Sequence, residues 1–200
     1  MDRMFAKMRW LVGLFLALAS TGGLRAERFL DIAEAQKICF PDADRFEARV
    51  IRFTPEQAKA VQQHSKVKVL NKGNRIWIAW RGRQVLGVLL ADHVLGKHEV
   101  IDYVVGVNPS GQVLRVEILA YRESYGGEIR GARWREQFKG KSPSAPLRLN
   151  EDIYNISGAT ISCRNVSEGV RRVLATFEQV VRPALADVRG GDDGLQGAAR

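Results

Sequence analysis

Apolar positions along the chain change period several times, and each change marks an element. Residues 29–39 repeat at helical spacing, with Phe29, Ile32, Ala33 and Ile38 on one side, and Pro41 closes the segment. Thr54-Pro55-Glu56-Gln57 is a helix start: Thr caps, Pro suits the first turn and Gln57 completes a capping box, which predicts a helix to about His64. The period then drops to two. Short strands are predicted at 66–70 and 75–81, the latter with Ile76, Ile78 and Trp80 on one face. Trp77 and Trp80 fall on opposite faces of that strand. Gly82-Arg83 turns the chain into a partner strand over 84–92. A further strand, 100–107, places Ile101, Tyr103, Val105 and Val107 on one side, and Asn108-Pro109-Ser110-Gly111 is a turn by composition. Residues 113–120 return with Leu114, Val116 and Ile118 inward.

Beyond a loop at 121–127, residues 128–138 read as a helix and 140–146 as a Lys-, Ser- and Pro-rich loop. The strongest helical stripe comes last. Val166, Val170, Val173, Leu174, Phe177 and Val181 share one face of a helix predicted over 162–181, with Pro183 ending it. Consecutive hairpins imply an antiparallel sheet, so the fold class is α+β, an antiparallel sheet flanked by helices.

The first 26 residues stand apart. Arg3, Lys7 and Arg9 precede an apolar run, 10–20, followed by small residues with candidate cleavage points after Ala19 and Ala26. Eleven residues fall short of the roughly 20 that a spanning helix needs, so the segment reads as a secretory signal peptide, with a retained N-terminal anchor as the alternative. The chain divides into that segment, an N-terminal helical stretch at 27–64, one domain at 65–185 and a Gly-rich polar tail at 186–200 expected to be disordered. Net charge is +9, of which the first 26 residues hold +3, leaving +6 on the remainder. A basic exported domain suits anionic lipid headgroups or an acidic redox partner. No nucleic-acid motif is present. The two cysteines, Cys39 and Cys163, form no C-x-x-C, and His64, His93 and His98 have no metal-ligand spacing. An exported chain permits a Cys39–Cys163 disulfide, but buried free thiols are the commoner outcome.

Candidate chemistry concentrates at Ser157-Gly158-Ala159-Thr160-Ile161-Ser162, where the last amphipathic helix opens. The first backbone N–H groups of a helix have no partner within it, and the helix dipole favours an anion there. Gly158 and Ala159 allow close approach of the backbone, and Ser157, Thr160 and Ser162 add hydroxyls. The plain alternative is an ordinary Ser/Thr N-cap. Glu123-Ser124-Tyr125-Gly126-Gly127 is the second candidate, a loop able to lie flat against a planar ring with Tyr125 stacked on it. Lys97-His98 and the basic residues of 139–141 read first as solvated surface charge, with phosphate neutralisation or a partner contact as the functional alternative. No general base, nucleophile triad or substrate pocket is legible.

S-G-A-T-x-S at a helix start resembles the flavinylation motif of the bacterial FMN-binding domain, found in the periplasmic flavin subunits of the Rnf complex and of the sodium-pumping NADH:quinone oxidoreductase. The resemblance runs from about Lys66 to Leu174 through Gly96-Lys97-His98-Glu99, the 123–127 loop and Gln137-Phe138-Lys139-Gly140-Lys141. It implies FMN as cofactor, held by a phosphoester on Thr160 that a separate flavin transferase makes. It also implies that 123–127 contacts the flavin. The partners implied are a membrane redox complex or another electron carrier, and the location the periplasm, either free or associated with the cytoplasmic membrane. The expected function is therefore electron relay by an exported flavoprotein. The 123–127 loop lacks the family's Pro, and one further departure bears on attachment: Tyr154 stands where an Asp is usual, six residues before the modified Thr, with Asp152 two positions earlier. A flavin-free envelope module of the same fold, acting in assembly or interaction, is the alternative reading.

Overall fold

The computed structural model describes residues 27–28, 30–69 and 72–186. The signal-peptide or anchor segment, and the tail beyond residue 186, lie outside these residues. Six strands form one antiparallel sheet: β1 (Glu27–Arg28), β2 (Arg45–Arg52), β3 (Gly73–Arg81), β4 (Gln84–Leu95), β5 (Val100–Val107) and β6 (Val113–Tyr121), in the spatial order β1-β6-β5-β4-β3-β2. The hairpins expected from alternation are present. The segment 27–64 is not simply helical, because β2 lies within it and pairs along its whole length with β3. Conversely, 66–69 is not a strand: Lys66 takes a left-handed conformation (φ 56°) that caps the preceding helix, α2 (Pro55–Ser65). Helix α2 starts as its sequence predicts, with the Thr54–Gln57 capping box closed in both directions.

One face of the sheet is covered by α4 (Thr160–Thr176) and the segment before it. Ile76, Ile78, Leu90, Ile101, Tyr103, Val105, Val116 and Ile118 meet Val166, Val170, Val173 and Leu174 there. The other face packs on α1 (Ile32–Cys39) through Trp77, Ala79, Leu89 and Val104. Within α1 the inward residues are Ile32, Ala35 and Cys39, whereas Ala33 and Ile38, expected inward, are exposed. The inward stripe runs i, i+3, i+7 from Ile32, and Ala33 and Ile38 lie off it. Leu114 departs from the expected face because of a strand irregularity. The β4 and β6 registers skip at Leu86, Leu114 and Leu119, each an extra residue opposite a regular partner. All three bulge residues pack on the α1 side.

The stretch predicted as a helix over 128–138 is broken into a 3₁₀ turn (Gly127–Arg130), a short α3 (Ala132–Arg135) and a second 3₁₀ turn (Glu136–Phe138). Pro183 does not end the last helix. A π-turn at Phe177–Val181 absorbs the proline, and helical structure continues over 182–186. Both cysteines are free and buried, Cys39 in the α1 cluster and Cys163 in the α4 cluster, so the sheet separates them. Burial pushes the Cys39 thiol up to about 12, a neutral core group. Among the described residues, no helix is long and apolar enough to cross a membrane.

Candidate functional site

The β4–β5 turn, the end of β6 with its following loop, and the start of α4 meet at one end of the sheet. They enclose an open cleft of about 1000 Å³, at the upper end of the roughly 300–1,000 Å³ usual for small-molecule sites. Ser157, Gly158, Ala159, Thr160 and Ser162 line it from one side, and Glu123, Ser124, Tyr125 and Gly126 from the other. Lys97, His98, Glu99, Tyr121, Arg122, Glu128 and Ile161 complete the wall. All nine candidate residues thus share one cavity, although 36 positions separate Glu123 from Ala159. Neither Trp77 nor Trp80 lines it.

The helix start is built for an anion. Helix α4 has Ala159 as N-cap, with no side chain bonding its first amides and no acid in its first turn. The ordinary Ser/Thr cap is therefore not what these hydroxyls form. Gly158 has φ +81° and nothing within 4 Å of where a Cβ would lie, so its exposed backbone is open to a ligand. The Thr160 hydroxyl, half-buried, accepts a hydrogen bond from Asn155 Nδ2 at 2.9 Å. Ser162 points inward instead. It is buried, with its Oγ 3.4 Å from the Tyr121 hydroxyl.

The opposite wall differs from expectation in its details. Glu123 turns its carboxylate onto the β4–β5 turn, accepting from the amides of His98 (2.6 Å) and Glu99 (3.0 Å). Desolvation raises its pKa, but these amides and the nearby His98 outweigh that and hold it below the ordinary range. Gly126, at φ +79°, backs onto the helix start. A Cβ there would lie 2.8 Å from Ala159 Cβ and 2.9 Å from the Tyr121 hydroxyl. Its lack of a side chain therefore serves loop–helix packing and not only approach to a ring. The Tyr121 hydroxyl also donates to the Tyr125 carbonyl, leaving the Tyr125 side chain 85% exposed on the rim. Burial raises the Tyr121 pKa, so this phenol stays protonated as a donor at neutral pH. Arg122, at the rim, pairs with Asp102 at 2.8 Å.

The segment leading into α4 is held by a frame that the sequence did not reveal. Tyr154 donates its amide to Gln137 Oε1 (2.6 Å), and its carbonyl accepts from Trp134 Nε1 (2.9 Å). Trp134 in turn packs edge-to-face on Phe138. The Tyr154 side chain is 83% exposed. Asp152 does not substitute for the acid absent at 154, because its carboxylate is tied to Lys141 Nζ (2.9 Å) and the Arg148 amide (2.8 Å). That pairing gives Lys141 a structural task in place of a phosphate contact. Asn155 and Tyr121 are the site residues missed in the sequence. A polar residue five positions before Thr160 was the available signal for the first. The second, at a strand end, had none.

The geometry fits a flavin mononucleotide: an uncapped helix start for the phosphate, and a cleft for the ring between it and the 123–126 loop. Residues 96–175 match the family model of the FMN-binding domain, and the matched segment contains every residue lining the cleft. No curated protein matches the sequence. Among solved structures, that of Shewanella oneidensis NqrC is similar at 15% identity, with a TM-score of 0.46 over 70% of this chain and 81% of that one. Residues 96–175 are thus similar to the FMN-binding domain, and that match indicates FMN as the group the cleft would hold.

Proposed function

We propose that this chain is an exported electron-transfer flavoprotein, carrying FMN as a phosphoester on Thr160 and relaying electrons between a membrane redox system and another carrier. The observation that carries this reading is the position of Thr160. Its hydroxyl lies in the first turn of an uncapped helix and on the wall of the cleft, within the S-G-A-T sequence. The amides of the α4 first turn and the open backbone at Gly158 would hold the phosphate. Tyr125 and Ile161, both exposed on the cleft wall, would border the ring. Bound FMN supplies one- and two-electron chemistry, and the protein supplies binding and electrostatic tuning. Anchoring through a bond removes loss by dissociation, which matters where free flavin is scarce.

Export is supported by the basic start and short apolar run of residues 1–26. A periplasmic location, with association to the cytoplasmic membrane, follows from that reading. A flavin transferase is then the maturation partner. The test is coexpression of the full chain with such a transferase, followed by a denaturing gel. In-gel flavin fluorescence is expected and Thr160→Ala abolishes it. A wild-type band without fluorescence, whose FMN is released by acid precipitation, would establish noncovalent binding, the variant of this reading that Tyr154 favours. Fractionation with N-terminal sequencing tests the location, and a full-length cytoplasmic product overturns export.

A further inference from the structure

We propose that Asn155 is a positioning residue for flavin attachment: it orients the Thr160 hydroxyl before the ester forms and donates to the phosphodiester afterwards. The proposal rests on the covalent reading above. It starts from the contact between Asn155 Nδ2 and Thr160 Oγ, 2.9 Å apart. A threonine hydroxyl in a helix divides between rotamers, because its oxygen also bonds readily to the carbonyl three or four residues earlier. A donor aimed at the oxygen selects one rotamer. It also occupies one lone pair, leaving the other for bond formation.

Asn155 can select because its own backbone is held. The preceding residue, Tyr154, is gripped through its amide by Gln137 and through its carbonyl by Trp134. On the other side, the turn from Ile156 to Ala159 is closed by the Ala159 amide donating to the Ile156 carbonyl at 3.0 Å. Asn155 sits between these two fixed points, exposed itself, with its amide turned to Thr160. Burial does not explain that orientation, since an exposed Asn has water as an alternative partner.

The chemistry is phosphoryl transfer. An unactivated monoester would have to expel water, so the donor must be a flavin dinucleotide, whose pyrophosphate bond is activated. The Thr160 Oγ–P bond forms and the pyrophosphate P–O bond breaks. The nucleoside monophosphate departs with the bond's electron pair, the hydroxyl proton leaves through the transferase, and no oxidation state changes. The product is a monoanionic diester at the position of the former hydroxyl, where the same Nδ2–H group becomes a charge-assisted donor. An Asp at 155 would accept from the hydroxyl but could not donate to the diester.

The experiment measures the initial rate of FMN attachment to the full chain, with purified transferase and a flavin dinucleotide, by intact mass. Asn155→Ala is expected to load about tenfold more slowly, the worth of one hydrogen bond at the upper end of its usual range, with an unchanged melting midpoint. Asn155→Asp is expected to load as slowly as Asn155→Ala. The ³¹P resonance of fully loaded Asn155→Ala should be displaced from that of the wild type, a readout that a purely structural role would not move. A wild-type chain that never loads overturns this proposal together with the covalent reading. A wild type that loads no faster than Asn155→Ala overturns this proposal alone. So does an Asn155→Asp variant loading at the wild-type rate, an unmoved ³¹P resonance, or a slow Asn155→Ala whose melting midpoint has fallen in step.

Discussion

Gly126 and Gly158 both line the cleft and share nearly the same backbone angle, φ +79° and +81°, which makes them a matched pair for substitution by alanine. Both alanines would pay the left-handed penalty of about 1–2 kcal/mol, offset by about 0.4–1 kcal/mol from a less flexible unfolded chain. At 158 nothing lies within 4 Å of the new Cβ, so the cost ends there, at roughly 0.5–1 kcal/mol. At 126 the Cβ would meet Ala159 Cβ at 2.8 Å and the Tyr121 hydroxyl at 2.9 Å, distances that force a shift. Overpacking of this kind adds about 1–3 kcal/mol. Gly126→Ala should therefore lose roughly 1.5–4 kcal/mol. At about 2–4 °C per kcal/mol for a chain of this size, that is a fall in melting midpoint of roughly 3–16 °C, against roughly 1–4 °C for Gly158→Ala. Urea unfolding of the flavin-free protein measures both. If the two variants lose stability to within about 0.5 kcal/mol of each other with equal m-values, the 123–126 loop is not packed on the helix start, and the account of the cleft wall fails.

Tyr154→Asp should leave stability within about 0.5 kcal/mol, because the side chain is exposed. It should raise the flavinylated fraction by intact mass, and a fully loaded wild type would show that the transferase does not need the acid. Glu123 has its pKa held below the ordinary 4.5 in the folded state, so its stabilising effect is present above that value and is lost as pH falls through the depressed one. The stability gap between wild type and Glu123→Gln should hold at neutral pH and close in acid, and a gap independent of pH would refute the clamp. Arg172 lies 2.7 Å from Asp92, which also accepts from Tyr103 at 2.9 Å in the core. Arg172→Met should cost about 3–5 kcal/mol in urea unfolding by stranding a buried carboxylate, and Asp92→Asn added to it should recover part of the loss. A loss below about 1 kcal/mol for the single variant would mean that Asp92 finds another partner.

What the sequence determined on its own was local. The strands of 75–92 and 100–120, the Thr54 capping box and the apolar stripe of α4 depend on residues a few positions apart, whose side chains share a face whatever the rest of the chain does. The S-G-A-T start of α4 was legible for the same reason. Tertiary structure decided whatever depends on pairing. Strand β2 becomes a strand through its register with β3, a non-local partnership. The bulges at Leu86, Leu114 and Leu119 turn those side chains to the α1 face because a paired strand supplies one residue too few. Pro183 stays in a helix because a π-turn before it absorbs the misfit. The cleft itself exists only because the sheet order brings the 96–99 turn, the end of β6 and the start of α4 to one corner. The hydrogen bonds that shape it join positions 24, 25 and 41 residues apart. At such separations loop-closure entropy opposes contact until packing of the whole domain offsets it, so the sequence marked the α4 start and the 123–127 loop as separate candidates but not the hydrogen bonds that join them into one cleft.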